Sequence, residues 1–158
     1  MATITNITPA HAGNLQGATA FGNLAVLRYV LQTDSTGALV GGDSNTPLKS
    51  GDVVRLGVLP AGFRIFDSMS IVNNNMTGGS AKVGFAYIDG IDDLRVPQNN
   101  GVFGNPIASN SHGKYRVGGS IASFALPKSA HIIFTVGEDN AKESLIEIFL
   151  YAIVEGAA

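Results

Sequence analysis

The chain has no cysteine, no tryptophan and few charges. Without cysteine it can form neither a disulfide nor a thiolate metal site, so its stability must come from burial and association. With no tryptophan and only four tyrosines it is short of the aromatic platforms that carbohydrate-binding sites use. Charged residues make up 14% of the chain, against about 25% in an ordinary soluble domain. A surface so poor in charge hints at cover by other molecules, in an oligomer or a larger assembly, although Gly, Asn, Ser and Thr can also keep a surface wet. The formal net charge of −2 leaves no basic field to hold nucleic acid or an anionic membrane. Long apolar runs are missing too. The greasiest stretch, "LIEIFLYAIV" (145–154), is broken by Glu147 and is too short to span a bilayer. The opening "MATITNITPAHAGNLQG" has neither the basic nor the apolar region of a secretory signal, so a soluble protein made in a cytoplasm is expected.

Catalytic patterns are equally scarce. His11, His112 and His131 are scattered, with no zinc-binding spacing. No Gly-x-Ser-x-Gly elbow occurs. "ASNSHGK" (108–114) lacks the glycine spacing and strand-to-helix context of a phosphate cradle. Asp89, Asp92 and Asp93 in "DGIDD" place three carboxylates in one loop, a possible calcium ligand set. Their spacing does not fit the EF-hand loop and Arg95 offers ordinary pairing, so turn chemistry is the expectation. No catalytic residue, cofactor or metal ligand is assigned, and no enzyme activity is expected.

What is present is alternation. The 158 residues suit one domain with a real core. "LAVLRYVLQT" (24–33) places Leu27, Tyr29 and Leu31 on one face and Arg28 and Gln32 on the other. "VVRLGVL" (53–59) aligns Val54, Leu56 and Val58. "PAG" (60–62) is a turn, and "FRIFDSMSIV" (63–72) aligns Ile65, Met69 and Ile71. Asp67 falls on that last apolar face, which is costly unless Arg55 or Arg64 pairs with it or a bulge turns it outward. "SAKVGFAYI" (80–88) sets Ala81, Val83, Phe85 and Tyr87 inside. Residues 89–113 read as a long irregular excursion, a common form for functional or interfacial loops. Residues 114–126 hold two short strands around Gly118-Gly119, and "HIIFTVG" (131–137) alternates again. Residues 144–154 are apolar on both faces, as in a central strand covered on both sides. The expected fold is all-β, a β-sandwich or jelly-roll-like domain spanning 24–158, preceded by an extended arm at 1–23 that either frays or docks.

The order within "GDVVRLGVLPAGFRIFDSMSIVNNNMTGGSAKVGFAYIDG" (51–90) resembles capsid decoration, or cement, proteins and other minor head proteins of tailed bacteriophages. It runs Gly-Asp, a strand with Arg, Leu-Pro-x-Gly, a strand with Asp, a small polar turn, then "KVGFAYIDG". The likeness covers about a quarter of the chain closely. It implies a virion protein on the outer surface of the mature head, made in the host cytoplasm. Such a protein often forms a homotrimer and bridges subunits of the major capsid protein. Thr3, Ile4, Ile7, Leu15, Phe21, Arg95, Val102 and Phe103 are the candidate capsid or neighbour contacts. A tail or head-fibre component, a minor capsid subunit and a carbohydrate-binding jelly roll remain as alternatives.

Overall fold

The computed structural model describes residues 1–5, 24–116 and 122–155, and every regular element among them is a strand. In chain order these are β1 (Thr3–Thr5), β2 (Leu24–Thr33), β3 (Val53–Leu59), β4 (Phe63–Asn74), β5 (Ala81–Tyr87), β6 (Asn99–Ile107), β7 (Gly113–Arg116), β8 (Phe124–Ala125), β9 (Ala130–Thr135) and β10 (Ser144–Val154). One sheet runs β1-β3-β9-β5-β6. The other runs β2-β10-β4-β7, with β8 also paired to β4. The β1–β3 pair is parallel and the other strand pairs are antiparallel. The fold is therefore all-β, and residues 144–154 are a strand rather than a helix.

Alternating apolar residues from both sheets meet in one core. Leu27, Tyr29 and Leu31 of β2 and Ile146, Ile148 and Leu150 of β10 lie buried with Val54, Leu56, Val83, Phe85, Ile132 and Phe134. Phe124 stacks on both Phe85 and Phe103, which are tilted to each other, with ring centroids 5.6 to 6.2 Å apart. Tyr29 donates its hydroxyl to the Val58 carbonyl at 2.9 Å. Its ring fills the place a side chain at Gly57 would take, since a Cβ there would sit 2.8 Å from a ring carbon.

Two strands change face at bulges, and this corrects the simple alternation. In β3, Arg55 pairs with Ile133 and Gly57 with the next partner, Ile132, so one residue is extra. Val58 is thereby turned to solvent, away from Val54 and Leu56. In β4, Ile65 pairs with Ala152 and Asp67 with Tyr151, leaving Phe66 extra. Beyond that point Ser68, Ser70 and Val72 face the core, while Asp67, Met69 and Ile71 face outward. The bulge, rather than Arg55 or Arg64, relieves the apparent misplacement of Asp67, which pairs outside with Arg116.

Three further expectations are revised. The stretch 89–113 is not irregular throughout, because Asn99–Ile107 forms β6 at a sheet edge. Its Gly, Asn and Pro content hides a strand whose pairing with β5 is interrupted twice. β10 is central, yet only one of its faces is fully buried. Phe149, Tyr151 and Ile153 are half-buried on the other. Finally, the start of the expected arm belongs to the body: Thr3–Thr5 pairs with Val53–Arg55, and Ile4 is 3% exposed. Asp52 accepts the Ala2 amide at 2.9 Å and Asp43 the Thr5 amide at 3.1 Å. The remainder of the arm, 6–23, lies outside the described residues, as do Gly118 and Gly119.

Candidate interaction surface

β5 ends at Tyr87, and the sequence "IDGIDDLRVPQ" (88–98) follows. Asp beside Gly favours turns because its carboxylate can accept amides one to three residues ahead. Each of the three aspartates does so. Asp89 Oδ1 accepts the Ile91 amide at 2.9 Å, and Asp92 Oδ1 accepts those of Asp93 and Gln98 at 2.9 and 2.7 Å. Asp93 Oδ1 accepts those of Arg95 and Val96 at 2.8 and 3.2 Å. The carboxylates are used as turn acceptors, and among the described residues no group of three metal-ligating side chains converges.

Tyr87 and Lys128 close the loop from below. The Tyr87 hydroxyl donates to the Val96 carbonyl at 2.5 Å, and its amide donates to Gln98 Oε1 at 3.2 Å. Lys128 Nζ donates to Asp89 Oδ2 at 2.7 Å and to the Ile91 carbonyl at 2.5 Å, and lies 4.6 Å from the Tyr87 ring centroid. The Lys128 hydrogen bond holds the Asp89 carboxyl below its ordinary range, and the Arg95 amide does the same for Asp93. Burial, reinforced by the nearby carboxylates, pushes the Tyr87 phenol up to about 12.

With the polar groups turned inward, the aliphatic side chains turn outward. Leu94 is 100% exposed, Ile91 67% and Ile88 49%. A loop this tightly tied presents its apolar side chains in a fixed arrangement.

The knob stands at one end of the sandwich. Tyr87 and Leu59 both lie opposite Ala130, where β9 begins. The short 60–62 turn, with Gly62 at φ 83°, carries β3 over to β4 at that end. Phe63 lies opposite Val154, and Leu24 opposite Ile153. Leu24, Val26, Val58 and Phe66, all exposed, lie at or near the same end. Three ion pairs lie there, Arg64 with Glu155 at 2.5 Å, Lys128 with Asp89 at 2.7 Å and Arg95 with Asp93 at 3.6 Å. The exposed Asp92 carboxylate accepts the Asp93 and Gln98 amides and joins no ion pair among the described residues.

The opposite end is polar and knit together by Asn140. Its Oδ1 accepts the Thr77 amide, and its Nδ2 donates to Thr33 Oγ1 and to the Lys142 carbonyl. Thr33 in turn bonds Ser144 at 2.7 Å. An open depression of about 260 Å³ lies at this end among Ser80, Ile107, Ala108, Asn110, Tyr115 and Glu138.

The structure scatters the contact residues singled out from sequence. Thr3 is exposed on β1, but Ile4 beside it is core. Arg95 is exposed on the 88–98 loop, next to Leu94. Val102 is half-buried, and Phe103 is 3% exposed within the aromatic stack, so Ile4 and Phe103 serve packing and not an open surface. Ile7, Leu15 and Phe21 lie outside the described residues. Ile88, Ile91 and Leu94, the exposed aliphatic residues of the loop, are not among the residues the sequence singles out. The available signal was aliphatic side chains inside an Asp- and Gly-rich turn, where no sheet face exists to receive them.

No family model and no curated sequence matches the chain. Solved structures do resemble it in fold. A chain from the capsid of Ralstonia phage GP4 superposes with a TM-score of 0.50 at 17% identity, over 89% of this chain and 90% of that one. A chain from the capsid asymmetric unit of cyanophage Pam1 gives 0.54 at 10% identity, over 86% and 89%.

Proposed function

We propose that the protein is a virion structural protein of a tailed bacteriophage. In this reading it is a capsid decoration, or cement, protein that binds the outside of the mature head and bridges major capsid subunits. The observation that carries the proposal is a fold shared, over nearly nine tenths of the chain, with chains from two phage capsids. The exposed apolar loop and the low charge support it, because both suit a part that works by being covered. In this role the protein has no substrate, cofactor, nucleic acid or membrane partner. Its partners are the major capsid protein and itself.

Self-association is proposed as a homotrimer, since cyclic closure covers an apolar patch without building fibres. The half-buried outer row of Phe149, Tyr151 and Ile153, flanked by Leu24 and Val26, offers surface for it. Three copies would also strengthen modest shell contacts through effective concentration. Thr3, Arg95 and Val102, together with Ile7, Leu15 and Phe21, stay as proposed contact residues.

The test uses procapsids and expanded shells assembled from the major capsid protein of the same genome. Purified protein should bind expanded shells in preference to procapsids, with density on the outer surface. No binding to either form would reject the proposal.

A further inference from the structure

We infer that the molecule stands end-on, with Ile88, Ile91 and Leu94 as the anchor that inserts into an apolar recess on a shell subunit. This rests on the virion reading above and assigns the orientation that reading leaves open. Of the nine large apolar side chains exposed among the described residues, seven lie at or near the end that carries the 88–98 loop. They are Leu24, Val26, Val58, Phe66, Ile88, Ile91 and Leu94, with Met1 and Val40 elsewhere. Leu24 and Val26 lie on the outer face of the β2 sheet, with the row proposed for self-association, and Val58 on the outer face of the other sheet, so the loop's own Ile88, Ile91 and Leu94 form the clustered contact surface.

The loop is prepared for contact before contact occurs. The bonds from Asp89, Asp92, Asp93, Tyr87 and Lys128 fix its backbone, so little ordering entropy is lost on binding. Fixed, fully desolvated anchors of this kind dominate interface energetics. The partner's chemistry follows from the local charges. Arg64, Lys128 and Arg95 already hold Glu155, Asp89 and Asp93, and Asp92, which joins no ion pair among the described residues, accepts the Asp93 and Gln98 amides, so the partner need supply few counter-charges. An apolar recess suffices.

A second copy of this chain is the poorer occupant. The open depression lies at the opposite end, lined by Ile107, Ala108 and Tyr115 as well as Ser80, Asn110 and Glu138. Seating the knob there would link molecules head to tail, an arrangement that need not close.

The test compares binding to the same expanded shells of the unmodified protein, Leu94→Asp, Ile91→Asp and the polar-end control Val40→Asp. Both loop variants replace exposed side chains, so each should keep the parent's melting temperature and oligomeric state. Each should lose about tenfold or more in shell affinity, as expected for an interface anchor, while Val40→Asp binds like the parent. A peptide tag inserted between Asn45 and Thr46, in the exposed stretch before Pro47 and Leu48, where the Asn140 amide bonds the Leu48 carbonyl at the polar end, should remain open to antibody on decorated shells. Parent-like binding by both loop variants would overturn the orientation while leaving the virion role standing. Dissociation of the oligomer by Leu94→Asp with shell binding retained would do the same. Failure of the unmodified protein to bind would overturn both.

Discussion

Three single positions carry stresses that a contact map alone does not show. At Gly84 a Cβ would point away from Val83 and Phe85 and fall 2.0 Å from the Asn99 carbonyl oxygen. That neighbour is backbone and cannot rotate aside, so Gly84→Ala should destabilise by about 2 kcal/mol or more, measured by urea unfolding. Ser70 is the reverse case. It faces the core fully buried, and its hydroxyl has no hydrogen-bond partner. Ser70→Ala removes that unpaired group and should hold or raise stability, by up to about 1 kcal/mol. His131 gives the pH dependence. Partial burial, with the Arg55 charge second, lowers its pKa below 6.5. Below pH 6.5 the unfolded chain therefore binds more protons than the folded one. Stability should fall there with falling pH until the folded imidazole also titrates. Melting curves across that window should slope for the parent and flatten for His131→Gln.

Single extra residues decide the behaviour of whole strands. Phe66 in β4 and the bulge at Leu56 in β3 each reverse which side chains face the core. Alternation in "LAVLRYVLQT" and "AKVGFAY" was legible because neither strand changes face along its length. In "VVRLGVL" and "FRIFDSMSIV" the alternation runs straight through a bulge, and so points Val58, Met69 and Ile71 to the wrong face. Only Asp67 signalled the break, as a carboxylate with no cheap place in a core. β6 was missed for a related reason: "NNGVFGNPI" is rich in turn residues and sits at an edge where few ladder bonds are required. β1 was too short to show any period, and its place comes from Ile4 and the amides held by Asp52 and Asp43. Ile4→Ala should therefore cost about 2 kcal/mol or more, as a buried large-to-small change does. The 88–98 turn has its own acid limit. The pKa values of Asp89 and Asp93 are lowered from 3.8, so their contribution is full above that value and is lost as pH falls below it. Amide exchange at Ile91, Arg95 and Val96 should accelerate there before the sheets open.

At the scale of the molecule the sandwich is polarised, with an apolar end and a polar end knit by Asn140. Because most charges at the apolar end are paired locally and Asp92 is held by amides, shell binding should barely weaken between about 0.05 and about 0.5 M salt, although the Debye length shrinks severalfold. A steep loss would show that long-range attraction, not apolar contact, holds the protein. Light scattering should return the mass of three chains, or of one chain that becomes three only on the shell. Isolated single copies on decorated particles would defeat the trimer. The pairing of β10 with β2 has a consequence in time. Leu24 lies opposite Ile153 and Thr33 opposite Ser144, so the second sheet joins segments far apart in the sequence. β4 meets that sheet through the same strand. Until Ser144–Val154 has left the ribosome the sheet has no centre, and contacts of such long sequence range form late and slowly. Phe63 and Leu24 are set by that strand. A nascent chain therefore waits for Ser144–Val154 before the second sheet can assemble, so the outer row of Phe149, Tyr151 and Ile153 proposed for self-association exists only once that strand is made.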